Sequence, residues 1–303
     1  MKKLTLLVVT LIVLSILVMG NPKVGFIATN FSSEAQATVA NEFEKLAGEN
    51  GWELVLLNSA GSIEKQSTQL ENLVQMGVDV VVMAMSHPNE IRSSLDYAIE
   101  SEIPVITIDS GYVDGVVCDI TADNFVMGAK ISTYLLDSLS GNGNIIVVKF
   151  EKHQGARRRG KILDVVLSEY PGINVLAEYN VAATARYMDD TRSAVETYAL
   201  KYGDEIDGVW CAFDQLAYAA ADVLSEYGIN NAMIVSVDGS EETYRRIKSG
   251  QMTATVAQPF DQMADKAIEI IEKIIAGIDP KEAAGKNIIY VDAPLVDKTN
   301  LPE

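Results

Sequence analysis

The chain reads as an α/β protein built from two doubly wound, parallel-sheet lobes. Three observations predict this. Short β-branched runs alternate with stretches of helical periodicity from Pro22 onward. The runs are apolar nearly throughout, as strands covered on both faces are, rather than on alternate residues. There are ten of them, which is large for one sheet and comfortable for two. Right-handed crossovers between parallel strands then give double winding.

The elements follow in order. Lys2 and Lys3 precede an uncharged apolar run, Leu4 to Met19, closed by Gly20. This is the layout of a secretory signal over residues 1–20, and it places the remainder outside the cytoplasm, in the periplasm or at the cell surface. The run lies at the low end of the ~20 residues that a span requires, so an uncleaved anchor is the other reading. Strands are expected at Val24–Ala28, Glu53–Leu57, Val78–Met83, Pro104–Ile108, Val116–Asp119, Asn144–Val148, Asn174–Ala177, Gly208–Ala212, Met233–Val237 and Ala254–Ala257. The first helix carries Val39, Phe43, Leu46 and Ala47 on one face and ends near Gly48 and Gly51. The second carries Ile63, Leu70, Leu73 and Val74, and Gly77 closes it. The last long helix opens at Pro259 and runs through Met263, Ala267, Ile270 and Ile274 to Gly277. Met76, Met83 and Met85 read most simply as core filler.

Composition narrows the function. Of 303 residues, 42 are acidic and 24 are Lys or Arg, for a net charge of −18. Such a surface repels phosphate backbones and argues against a nucleic-acid partner. No helix-turn-helix of suitable length precedes Lys23. Cys118 and Cys211 lie in apolar, strand-like runs and read as unpaired core thiols; spacing alone leaves a disulfide open.

Catalytic signatures are not apparent. No Gly-rich phosphate loop lies between a strand and a helix, and Gly141-Asn142-Gly143-Asn144 precedes a strand and reads as a turn. His87 and His153 are the only histidines, without a metal-ligand pattern around them. The chain is therefore expected to bind rather than to react, and to need no cofactor or metal.

Ligands of open α/β sheets sit beyond the carboxyl ends of the strands. Those ends are Thr29–Gln36, Ser86–Asn89, Asp109 and Ser110, Lys152–Arg159, Arg186 and Tyr187, Phe213 and Asp214, Asp238, and Gln258. The set mixes carboxylates, a guanidinium, amides and rings. Carboxylates accept from hydroxyl pairs, Arg and Gln donate, and a ring covers a C–H face, which suits a neutral polyhydroxylated molecule.

Six segments in order carry a resemblance: KVGFIATNF at 23–31, IPVITIDS at 103–110, TADN at 121–124, ARRRG at 156–160, VSVDGSEE at 235–242 and TATVAQPFDQ at 253–262. Together they resemble the ribose-binding protein family of exported sugar receptors, the type I periplasmic binding fold, over essentially the whole mature chain. The resemblance implies two lobes joined by three hinge crossings, near Ala122/Asp123, Gln258/Pro259 and Lys286/Asn287. The first lobe would then hold residues 21–122 and 259–286, and the second 123–258 and 287–303. Carried over by position, it implies ligand contacts at Ser33, Ala35, Gln36, Asp109, Ser110, Arg159, Tyr187, Phe213, Asp238 and Gln258. It further implies a monomer that captures a neutral sugar or polyol and delivers it to a membrane ABC permease. A sugar-sensing ectodomain that signals to a chemotaxis or kinase partner is the alternative, favoured if Leu4–Met19 stays uncleaved. The family's ribose binders carry aromatics where this chain has Ala35 and Gln36, Arg where it has Ser110, and an amide where it has Phe213. The covering ring is thus expected on the second lobe, at Tyr187 and Phe213, and another aldose, a sugar alcohol or a cyclitol fits as well as ribose.

Several of these residues have plainer readings. Ser33 with Gln36 is also a capping box. Asp123 or Asn124 can cap the following helix. Asp238-Gly239-Ser240 can be a turn, and Tyr187 and Phe213 can be core rings. Arg157 and Arg158 are assigned to solvent and only Arg159 to the cleft.

Overall fold

The computed structural model describes residues 20–182 and 186–302. The expected leader lies outside them. Among the described residues, no helix is long and apolar enough to cross a membrane.

Twelve strands form two six-stranded sheets. The first sheet contains β1 (Lys23–Ala28), β2 (Glu53–Asn58), β3 (Val80–Ala84), β4 (Val105–Ile108), β5 (Asp119–Ala122) and β11 (Ile288–Val291), in the order β11-β5-β4-β3-β1-β2. All its pairings are parallel. The second contains β6 (Asn142–Lys149), β7 (Gly172–Asn180), β8 (Gly208–Cys211), β9 (Met233–Asp238), β10 (Ala254–Ala257) and β12 (Leu295–Asp297), in the order β12-β10-β9-β8-β6-β7. Here β12 alone runs antiparallel, against β10.

The helices cover both faces. In the first lobe, α1 (Glu34–Glu49) packs with the late helix α9 (Phe260–Ile275) on one side, while α2 (Ile63–Gln75) and α3 (Arg92–Glu100) cover the other. In the second, α4 (Asn124–Ser138) packs on α5 (Gln154–Leu167), and α6 (Tyr187–Tyr202) on α7 (Asp214–Glu226). Two more helices, α8 (Glu241–Ser249) and α10 (Pro280–Ala284), follow β9 and α9. The inner strands are apolar along their length because they are sandwiched this way: every residue of β3, β4, β8 and β10 is buried, whereas the edge strands β2, β7 and β11 are partly exposed.

Three expectations need correcting. Met76, at the C-cap of α2, is 49% exposed and does not fill the core. The fifth strand begins at Asp119 rather than Val116, because Val116, Val117 and Cys118 are buried in the irregular approach that follows Gly115. Residues 288–291 do not belong to the second lobe. They form β11 and pair with β5 in the first sheet, so the third crossing falls after Val291, at Asp292–Pro294. Lys130 of α4 ties that crossing down, with Nζ 2.6 Å from the Ala293 carbonyl and 3.3 Å from Asp292 Oδ1. Both thiols are free and buried.

Candidate functional site

The carboxyl ends of the two sheets face each other across a cavity of about 120 Å³. The first lobe lines it with Thr29, Asn30, Ser33, Ala35, Gln36, Met85, His87 and Asp109. The second supplies Phe150, Lys152, His153, Arg159, Tyr187, Phe213 and Asp238, and Gln258 stands at a crossing.

Asp109, the residue after β4, has a φ of 45°, and Asp238 ends β9 with a φ of 141°. Residues other than glycine rarely take such angles, and the strain is held only where the surroundings enforce it. A second carboxylate does so in each lobe. Asp119 accepts from the Thr107 hydroxyl at 2.8 Å and from the amides of Ser110 and Gly111, each at 3.1 Å. Asp214 accepts from the Ser236 hydroxyl at 2.5 Å and from the amides of Gly239 and Ser240 at 2.7 and 3.2 Å. It also accepts from Thr243 and Thr255. Both carboxylates are buried and fix the turn that follows the cleft aspartate.

The cleft aspartates differ in their partners. Asp109 Oδ1 accepts from Thr121 Oγ1 at 2.8 Å and from Asn124 Nδ2 at 3.0 Å. Asp238 Oδ1 accepts from Gln258 Nε2 at 2.9 Å and lies 3.6 Å from Arg159 Nη1. Burial pushes the Asp238 carboxyl up to about 8, against the opposing pull of Arg159. No donor among the described residues reaches Oδ2 of either aspartate, so each offers an oxygen to the cavity. Arg159 is held by Asn124 Oδ1 at 2.8 Å and the Ala212 carbonyl at 2.9 Å.

Two glycines let α4 and α5 approach closely enough for this. A Cβ on Gly128 would stand 2.8 Å from the Arg159 Cα, and one on Gly155 2.8 Å from Asn124 Oδ1.

The phenyl and phenol rings of the cavity all come from the second lobe. Phe150 and Tyr187 flank Phe213 edge to face, with centroids 5.7 and 5.6 Å away. Tyr187 Oη also crosses the cleft to the Ser32 carbonyl at 3.0 Å. Gln215 accepts from the Glu34 amide at 3.0 Å, and Tyr218 donates to the Glu34 carboxylate at 3.0 Å. The lobes are therefore closed upon each other.

These observations give a two-lobed α/β chain with a polar, half-aromatic cleft between the sheet ends. A periplasmic binding protein domain matches residues 24–279. The chain belongs to that family. The xylitol-binding protein of Mycolicibacterium smegmatis is 26% identical over 255 residues, 83% of this chain and 70% of that protein. The ribose import binding protein RbsB of Salmonella typhimurium is 26% identical over 286 residues, 91% and 94% of the two chains. The fold is also that of an ABC transporter solute-binding protein from Agrobacterium vitis solved with bound allitol, at a TM-score of 0.82 and 22% identity, covering 92% of this chain and 96% of that one. The architecture is thus the type I periplasmic binding fold.

Of the residues picked out in the sequence, Ser33, Ala35, Gln36, Asp109, Arg159, Tyr187, Phe213, Asp238 and Gln258 line the cavity. Ser110 does not. Its hydroxyl turns back, bonding the carbonyl of Ile108 at 3.0 Å and receiving the Ser86 amide and hydroxyl at 2.9 Å. Ser33 stands at the N-cap of α1 but its hydroxyl caps nothing, and Gln36 Oε1 accepts from the Asn30 amide, so the capping box is not formed. Asp123 is a true cap, accepting from the Phe125 and Val126 amides. Arg157 holds the Glu151 carbonyl and Arg158 lies over Phe125, both outside the cleft. Sequence reasoning did not name Asn30, His87, Phe150, Lys152 or His153 as ligand contacts, and it read Met85 as core filler, whereas Met85 lines the cavity as well as packing in the core. Apart from Phe150, all lay within or beside the strand-end segments; chain order alone gives no sign of which way each side chain turns.

Proposed function

We propose that the chain captures a neutral sugar or polyol between its lobes and hands it, closed in, to an ABC importer. The observation that carries this reading is the pair Asp109 and Asp238, one from each lobe, each with an oxygen left for a donor in the cavity. Hydroxyl pairs are suitable donors, and the wall of Phe150, Tyr187 and Phe213 suits the C–H face of such a molecule. Ala35 and Gln36 leave the first-lobe wall without rings, which favours a polyol, cyclitol or other aldose over ribose.

Closure is the mechanism. Ligand must bind the closed arrangement better than the open one, and the closed surface is what a permease reads. The reading places the mature chain outside the cytoplasm as a monomer; N-terminal sequencing of exported material tests removal of residues 1–20 and separates it from an anchored sensor.

The direct test is a thermal-shift screen over pentoses, hexoses, polyols and cyclitols. A true ligand at 100 times its Kd adds about 2.7 kcal/mol of stability. Asp238→Ala should weaken that binding by roughly 1–3 kcal/mol, the cost of leaving a buried hydrogen-bonding partner unpaired. A screen without a hit, or a variant that binds as tightly as the wild type, overturns the proposal.

A further inference from the structure

We infer that Tyr218 is a positioning residue that joins closure of the lobes to the turn after Asp238: its one hydroxyl proton serves either Glu34 of the first lobe or Thr243 of the second, and docking of Glu34 decides which. Neither Glu34 nor Tyr218 lines the cavity, so the inference holds for any guest that the closed lobes retain.

Tyr218 lies one turn after Asp214 on α7, so both side chains leave the same face of the helix. Its hydroxyl meets three groups: the Glu34 carboxylate at 3.0 Å, Thr243 Oγ1 at 2.7 Å, and Ser240 Oγ. The chemistry of the partners fixes the sense of each bond. A carboxylate only accepts. Thr243 gives its own proton to Asp214 Oδ2, 2.5 Å away, so towards Tyr218 it too can only accept. Ser240 Oγ accepts from the Thr243 amide at 3.2 Å and keeps a proton to give to the phenol oxygen. Tyr218 therefore stands between two acceptors with a single proton. Burial, with Asp214 nearby, pushes the phenol far up from its ordinary value, so that proton is not lost. The ring itself is held: the Arg246 guanidinium lies over it at 4.9 Å, fixed by Asp222 at 2.5 Å and Glu242 at 2.6 Å. Only the proton has to move. A charged acceptor makes the stronger bond, so with the lobes docked the proton goes to Glu34, and with the lobes apart it turns to Thr243.

The turn feels the change because the same groups hold it. Asp214 Oδ2, which takes the Thr243 proton, also takes the amides of Gly239 and Ser240, the two residues after Asp238. Hydrogen bonds in a chain polarise one another. A Thr243 hydroxyl that accepts from Tyr218 donates more strongly to Asp214. Once Tyr218 turns to Glu34 that support goes, and Asp214 draws harder on the two amides. Docking of the first lobe thus tightens the turn that carries the second lobe's cleft aspartate.

The experiment compares backbone amide spectra and binding for the exported full chain, Glu34→Ala, Tyr218→Phe and the double variant. The probe is whichever of xylitol, D-ribose and myo-inositol gives the largest thermal shift. Glu34→Ala keeps the main-chain amide that Gln215 holds, so the rest of the lip is preserved. It should move the Gly239 and Ser240 amide resonances although it lies in the other lobe, and should move them no further when Tyr218→Phe is already in place. Each single variant should lose roughly fivefold in affinity, and the double no more than the larger single loss, because both break one contact. Should Tyr218→Phe not fold, Glu34→Ala alone carries the spectral test. Amides that ignore Glu34→Ala in the ligand-free and the saturated chain, or losses that simply add, overturn the inference. If no compound binds the wild type, the sugar-or-polyol reading fails by itself, and the ligand-free spectra still decide this one.

Discussion

Asp109 and Asp238 stand at strand ends in opposite lobes, yet one chain of polar contacts joins them. Asp109 Oδ1 accepts from Asn124 Nδ2, Asn124 Oδ1 accepts from Arg159 Nε, and Arg159 Nη1 lies 3.6 Å from Asp238 Oδ1. Asn124 is the central link, and it sits at the first crossing between lobes, next to Asp123. The cleft aspartates are therefore held in register by a residue at a chain crossing between the lobes.

Asn124→Ala should show this. It removes a donor from Asp109 and an acceptor from Arg159, both buried, at a cost of about 1–3 kcal/mol for each group left unpaired. Urea unfolding should report the loss, and affinity for any sugar hit should fall in the same variant. Unchanged stability would mean that water replaces the amide.

Gly128→Ala tests how the two helices bring Arg159 into place. The new Cβ meets main chain, the Arg159 Cα at 2.8 Å, which has no rotamer to yield. Overpacking of this kind costs roughly 1–3 kcal/mol. Ala elsewhere on α4 has a favourable helix propensity, so a stabilised Gly128→Ala would contradict the packing described.

Stability should depend on pH with a definite sign. Asp238 is raised from 3.8 to about 8, so the folded chain keeps a proton that the unfolded chain has lost, and stability falls as pH rises through that window. Asp119, raised to about 6 by burial, acts in the same direction at its lower end. His153, lowered from 6.5 to about 4, acts oppositely below 6.5. Between pH 6.5 and 8 only Asp238 of these three remains, and the melting temperature should decline there. Asp238→Asn should flatten the decline; a wild type that gains stability over that range would reverse the assignment.

The latch at the cleft's lip can be loosened without touching the cavity. Gln215 accepts the Glu34 amide and donates to the Ser32 carbonyl at 3.3 Å, both across the gap, and does not line the pocket. Gln215→Ala removes these bonds, each worth about 0.5–1.5 kcal/mol. Small-angle scattering of the ligand-free variant should give a larger radius of gyration than the wild type. An identical curve would assign closure to other contacts.

The two cysteines should be silent in the native protein. Burial raises the Cys118 thiol to about 12 and Cys211 further, so neither forms thiolate at neutral pH. A thiol reagent should titrate none in the folded chain and two after denaturation without reductant. Fewer than two would reveal a disulfide.

The sequence carried the sheets well because burial on both faces leaves an unbroken apolar signal. Where that signal fails, so does the reading. β11 is half exposed, with Ile288 and Tyr290 open to solvent, and β12 has three residues, so neither registers as a strand. β5 was displaced in the other direction: Val116–Cys118 is apolar because it is buried, without being regular strand. The cleft was legible through a rule of position, that strands in such folds deliver polar residues at their carboxyl ends. Position does not give direction. Ser110 follows Asp109 and points away from the cavity, held by Ser86 and Ile108, while His153, two residues into a polar segment, points in.

Because β11 and α9 complete a sheet begun at Lys23, neither lobe is a continuous stretch of chain. During synthesis the first lobe has a bare face over α1 until α9 emerges and an open edge at β5 until residue 291 does, and the second awaits β12 at 295–297. The first lobe can be completed only after the body of the second, Asn142 to Ala257, has been made.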